Sequence, residues 1–113
     1  MEFLSDEWYQ AANDALEQLE IETVEIVVAH VSEIQSHCII LNGGKASVAP
    51  DGHLPDVTLR QTSKIADAVR EGSLSALTAI QEGLITVEGD IGRLMAAKPA
   101  LEAVDKTLRE LGT

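Results

Sequence analysis

The hydrophobic pattern changes period several times along the 113 residues. Trp8, Ala11, Ala12, Ala15, Leu16 and Leu19 recur at helical spacing. Ser5 stands where a cap is needed, and Asp6 and Glu7 suit the positive end of the helix dipole. The spacing predicts a helix ending near Leu19. From Glu22 the period becomes two: Val24, Ile26 and Val28 alternate with Thr23 and Glu25, as in a strand wet on one face. Val31 to Gln35 reads as a connection. His37 to Leu41 is an apolar second strand, Asn42-Gly43-Gly44 a tight turn, and Lys45 to Ala49 a short third strand. Pro50-Asp51-Gly52 and Pro55 mark a loop, after which Asp56 to Gln61 alternates again as a fourth strand.

The second half is mostly helical. Ser63 is placed to cap a helix closing at Gly72, and Ser73 one closing at Gly83; a glycine just past the last turn suits the left-handed stop. Leu74, Leu77 and Ile80 share one face of the latter helix. Leu84 to Glu88 is a fifth strand. Gly89 breaks it and Asp90 caps a last helical region carrying Ile91, Leu94 and Met95. Pro99 belongs in the first turn of a new helix, along which Leu101, Val104, Leu108 and Leu111 continue the stripe. Strands followed by helices point to an α+β fold, a five-stranded, largely antiparallel sheet with helices packed on one face. No repeat or internal boundary is visible, so residues 1–113 are expected to form a single domain.

Composition narrows the function. The chain is 45% hydrophobic, yet Phe3, Trp8 and Tyr9 are its only aromatics, so the core rests on aliphatic side chains that either interdigitate or leave a space. The net charge is -11, with acidic residues spread throughout and no Lys/Arg cluster. That field disfavours nucleic acid and anionic membrane surfaces. Cys38 is the sole cysteine and sits in an apolar run, where a buried, unreactive thiol is expected. Neither a secretory signal nor an uncharged apolar run near the ~20 residues of a transmembrane helix is present, and a cytoplasmic protein is the expectation.

Candidate chemistry is sparse. His30, His37 and His53 fit no metal spacing, although His30 and His37 are placed to oppose each other across the first hairpin. Asn42-Gly43-Gly44 lacks the Lys-Ser/Thr and helix of a phosphate loop. Ser63, Ser73 and Ser75 lie in capping contexts, outside any nucleophile elbow. The expectation is therefore no enzyme, no metal and no cofactor.

One segment carries more. The run Ala79-Ile80-Gln81-Glu82-Gly83-Leu84-Ile85-Thr86-Val87-Glu88-Gly89-Asp90 resembles the signature of the sterol carrier protein type two lipid-transfer domain. Pro55-Asp56-Val57-Thr58-Leu59 resembles that family's Asp-Val-Thr strand, and the helix break from Gly72 to Leu74 falls where the family has one. Phe3-Leu4-Ser5-Asp6-Glu7-Trp8 is similar to the start of short bacterial members. Two departures stand out: Ala79 and Ile80 occupy the place of an aromatic that often precedes the signature glycine, and Leu111-Gly112-Thr113 is no peroxisomal address. The resemblance implies a five-stranded sheet with helices over one face, an internal apolar tunnel, and binding of a sterol, fatty acid, acyl-CoA or phospholipid without catalysis.

On that reading Val57, Leu59, Ile85 and Val87 form the sheet wall of a ligand site, and Leu77, Ile80, Leu94 and Met95 its helix wall. A pocket of ~300 Å³, left empty at ~24 cal/mol per Å³, would cost ~7 kcal/mol, on the scale of the ~5–15 kcal/mol that stabilises a small domain. Such a domain is ligand-filled, partly collapsed or closed by a partner. The alternative is an interaction or dimerisation module with a filled or absent cavity, presenting Leu101, Val104, Leu108 and Leu111 to a second copy or a protein partner.

Overall fold

The computed structural model describes residues 4–50 and 54–111, apart from the side chains of Ala76 and Leu77. Phe3, His53 and most of the loop expected after Pro50 lie outside the described residues. The elements run α1 (Asp6–Glu17), β1 (Ile26–Val31), β2 (Ser36–Asn42), β3 (Lys45–Pro50), β4 (Val57–Arg60), α2 (Ser63–Glu71), α3 (Ala76–Gln81), β5 (Thr86–Gly89), α4 (Ile91–Ala96) and α5 (Lys98–Arg109). The α+β architecture is the one expected from the sequence.

The sheet has five strands in the order β3-β2-β1-β4-β5. Three of its four pairings are antiparallel, and the one between the central strand β1 and β4 is parallel. Register places Val28 beside Ile39 and Val57, with Ile39 in turn beside Val48. These four are buried on one face, together with Ile26, Leu41, Ala46 and Leu59. Trp8, Ala12 and Leu16 of α1, Leu94 of α4, and Ala100 and Val104 of α5 join the same core from the helices. A period of two on the strands thus meets helical stripes across one layer. The edge of β3 is covered: the Asn13 amide donates to the Val48 carbonyl at 3.0 Å, and its carbonyl accepts from the Val48 N–H at 2.8 Å.

Several boundaries differ from the sequence reading, each for a local reason. β1 starts at Ile26 rather than Glu22 and runs on through Val31. The cap of α2 is Thr62, whose hydroxyl accepts from the Ile65 N–H; the Ser63 hydroxyl instead donates to the Glu33 carboxylate at 2.7 Å. Ser75 caps α3, because Ser73 is used to close α2, its N–H and hydroxyl both donating to the Ala68 carbonyl. β5 begins at Thr86. Leu84 and Ile85 both donate to the Ala79 carbonyl, which commits their backbone to the helix stop before the strand can pair. Ser5, Asp90 and Pro99 stand where the pattern put them: Ser5 and Asp90 accept from the Trp8 and Arg93 N–H groups, and Pro99 lies in the first turn of α5.

The C-terminal stripe is not an outward surface. Val104 is fully buried, and Leu101, Leu108 and Leu111 pack half-buried against the core. The expected dimer or partner face along these residues is not supported: the stripe turns inward, toward α1, α2, α4 and a space between α5 and the sheet.

Candidate functional site

Two glycines fix the junctions around the site. Gly83 adopts φ +76° just past α3, and the Leu84 N–H to Ala79 carbonyl bond of 2.8 Å closes the turn. Gly89 adopts φ +110° at the end of β5, and a Cβ there would run into the Asp56 carbonyl oxygen and come within 3.1 Å of the Val57 Cα. Asp56 is itself the hub of this corner. Its carboxylate accepts from the Val27 N–H at 2.8 Å and from Arg93 at 2.9 Å, while Arg93 also donates to the Glu25 carbonyl. The corner delivers α4 to the sheet, and α4 carries Leu94 and Met95.

Between the sheet and the helices lies a cavity of about 500 Å³. Val28, His30, Ile39 and Leu59 form its sheet side. Val69 of α2, Leu74, Ile80 of α3 and Leu94 and Met95 of α4 surround it, and α5 closes it with Leu101 and a row of charged side chains. A smaller space of about 90 Å³, bordered by Leu4, Trp8, His37 and Leu108, adjoins it: His30, Ile39, Val69, Asp105 and Arg109 border both.

Of the eight positions expected to contact a ligand, Leu59, Ile80, Leu94 and Met95 meet at the larger cavity. Met95 is 45% exposed, at its mouth. Val57 and Ile85 are buried and Val87 half-buried in the surrounding core, off the cavity wall. Leu77 falls in α3, and its side chain lies outside those described.

Of the polar groups at the cavity, the pattern picked out His30 and His37 as opposed across the first hairpin, and it did not pick out those of α5. His30 and His37 pair across β1 and β2 and stack. Burial pushes His30 down to about 4, and burial with the neighbouring His30 pushes His37 down to about 3, so both rings are neutral at neutral pH. Asp105 of α5 is pushed up to about 6 by burial, against the pull of Arg109 and with a smaller push from Glu102. The one available signal was positional. Lys98, Glu102, Asp105 and Arg109 recur every three to four residues, which puts them on one side of α5. Among the described residues no three His, Cys, Asp or Glu side chains gather to hold a metal, and no helix is long and apolar enough to cross a membrane.

The sequence model of the SCP-2 sterol transfer family matches residues 3–102. The chain belongs to this family. Lipid binding or transfer is the family's general function, and the model covers every element from α1 into α5. Solved structures share the fold. A crystal structure of sterol carrier protein 2 aligns with a TM-score of 0.77 at 22% identity, covering 96% of this chain and 98% of that one. Sterol carrier protein 2 from Yarrowia lipolytica, in its apo form, aligns at 0.62 with 15% identity over 83% of this chain and 93% of its own. Sterol carrier protein 2 of Aedes aegypti, solved in complex with palmitate, aligns at 0.55 with 22% identity over 88% and 94%. No curated protein sequence matches the chain.

Proposed function

We propose that these 113 residues act as one non-enzymatic carrier domain, holding an apolar ligand of the sterol, fatty acid, acyl-CoA or phospholipid kind between the sheet and α2 to α5. The observation that supports this reading is the cavity of about 500 Å³, walled largely by Val28, Ile39, Leu59, Val69, Ile80, Leu94 and Leu101. Its size falls within the roughly 300–1,000 Å³ of small-molecule sites. The space opens at Met95, so water enters it, and an apolar ligand that displaces this water from the aliphatic wall stabilises the fold by binding. The palmitate held by the Aedes aegypti relative is one ligand of suitable character.

Native mass spectrometry of the purified protein, followed by organic extraction, tests the reading. A co-purifying lipid, or saturable binding of a fluorescent fatty acid that unlabelled lipid displaces, is the expected result. A protein that carries no lipid and binds no lipid probe overturns it.

A further inference from the structure

The charges of this molecule are unevenly placed. Nineteen acidic residues outnumber eight basic ones. Yet four of those eight cations, Arg70, Lys98, Lys106 and Arg109, border the two adjoining spaces, and among the described residues only Glu102 and Asp105 of the acids do so. Of the other four cations, three are engaged elsewhere: Arg93 is clasped by Asp56, Arg60 pairs with Glu88, and the Lys45 amine donates to the Glu17 carbonyl.

Within the rim, two cations are already matched. Lys98 pairs with Glu102 at 3.4 Å and Arg70 with Asp67 at 3.1 Å. Lys106 and Arg109 make no ion pair with a carboxylate among the described residues. They are three apart on α5, hence neighbours on its surface. The Arg109 stem lies over Gly72, where a Cβ would come within 3.6 Å of its Cδ, so the guanidinium is held at the seam between the end of α2 and α5. Two charges oppose an anion here, the negative end of the α5 dipole at about half a charge and the ionised Asp105 that Arg109 attracts, against the two full cations of Lys106 and Arg109.

We propose, resting on the carrier reading, that the cavity selects an amphiphile with an anionic head. Its hydrocarbon chain lies along Leu59, Ile80, Leu94 and Leu101, and its carboxylate or phosphate meets Lys106 and Arg109. Asp105, which borders the same space, opposes the head group whenever it is ionised.

Calorimetric titration with dodecanoate, dodecyl phosphate and 1-dodecanol tests this, because the three share a chain and differ in the head. At least one anion is expected to bind about tenfold or more tighter than the alcohol, and the tighter of the two identifies the head group. K106Q/R109Q is expected to weaken that anion by about tenfold while shifting 1-dodecanol by less than about twofold, which also shows that the variant is folded. D105N is expected to tighten the anion. Added salt is expected to weaken anion binding and leave the alcohol unchanged. If 1-dodecanol binds as well as both anions, or K106Q/R109Q weakens all three alike, head-group selection is wrong while the carrier reading stands. If none of the three binds and no lipid co-purifies, both fall.

Discussion

His30 and His37 face each other across the β1–β2 ladder with their rings nearly parallel, 10° apart in plane and 5.0 Å between centroids. Trp8 of α1 meets His37 edge-on at 6.5 Å. Their pKa values of about 4 and about 3 lie below the ordinary 6.5 of the unfolded chain. For a base depressed on folding, the native state is favoured in full above pH 6.5. Stability is lost as pH falls from there toward the folded values, because the unfolded chain takes up protons first. Each such proton contributes ~1.4 kcal/mol of slope per pH unit. His37→Leu is expected to flatten the dependence by about one proton's worth, read by urea unfolding between about pH 7.5 and 5. Equal slopes in the two proteins would mean that the ring is not buried neutral.

Asp105 acts in the opposite direction. Its pKa of about 6 exceeds the ordinary carboxyl value of 3.8, so its contribution is most favourable below pH 3.8 and is lost as pH rises through 6. At pH 7 the fold carries a poorly solvated carboxylate between α5 and the sheet. Asp105→Asn is expected to stabilise the protein by about 2 kcal/mol near pH 8 and by nothing near pH 4. Thermal melts of both proteins across that range check it. A variant less stable than the parent at pH 8 would show that the carboxylate is needed in its charged form.

The signature glycine has a structural duty at a single atom. Gly89 pairs with Val57 in the β4–β5 ladder and lets the Asp56 carbonyl approach the chain where a Cβ would otherwise stand. Gly89→Ala is therefore expected to push β5 off β4 and cost about 3 kcal/mol or more, since backbone rather than a flexible side chain is in the way and φ is +110°. Gly83→Ala, with nothing near the added Cβ but φ +76°, is expected to cost only ~1 kcal/mol. Equilibrium unfolding ranks the two. If Gly83→Ala is the costlier, the corner at Asp56 is softer than its geometry implies.

Much of this fold was legible because its signals are local. The change from period 3.6 to period two placed α1 and the first strands, and Asn42-Gly43-Gly44 placed the turn between β2 and β3. What was not legible depends on partners distant in sequence. The pattern gave the cap of α3 to Ser73, but the closing turn of α2 takes Ser73 and leaves the cap to Ser75. The parallel pairing of β1 with β4 brings Val28 beside Val57, a choice no alternation records. The site was legible by half for the same reason. Alternation puts Val57 and Leu59 on one face, but only the helices above determine that Leu59 meets open space while Val57 meets packed core. The charged side of α5 has the spacing of any solvated helix face. Its position over the cavity follows from how α5 settles against α1, α2 and α4.

That half-legible site is where function can be separated from fold. Ile80 and Leu101 are half-buried at the cavity rather than locked in the core, so enlarging them takes up space instead of displacing packed neighbours. I80F/L101F is expected to leave the unfolding midpoint unchanged or raised, because added apolar atoms gain contacts the parent lacks. The same change is expected to weaken a fluorescent fatty acid by about tenfold or more, since its chain and the new rings compete for one volume. A matched control, V57I, adds a methylene to the packed core away from the cavity. It is expected to cost about 1–3 kcal/mol of stability and to leave affinity alone. Retained binding in I80F/L101F with an intact fold would place the ligand outside this cavity, and affinity that tracks stability in both variants would show that binding reports only how much protein is folded.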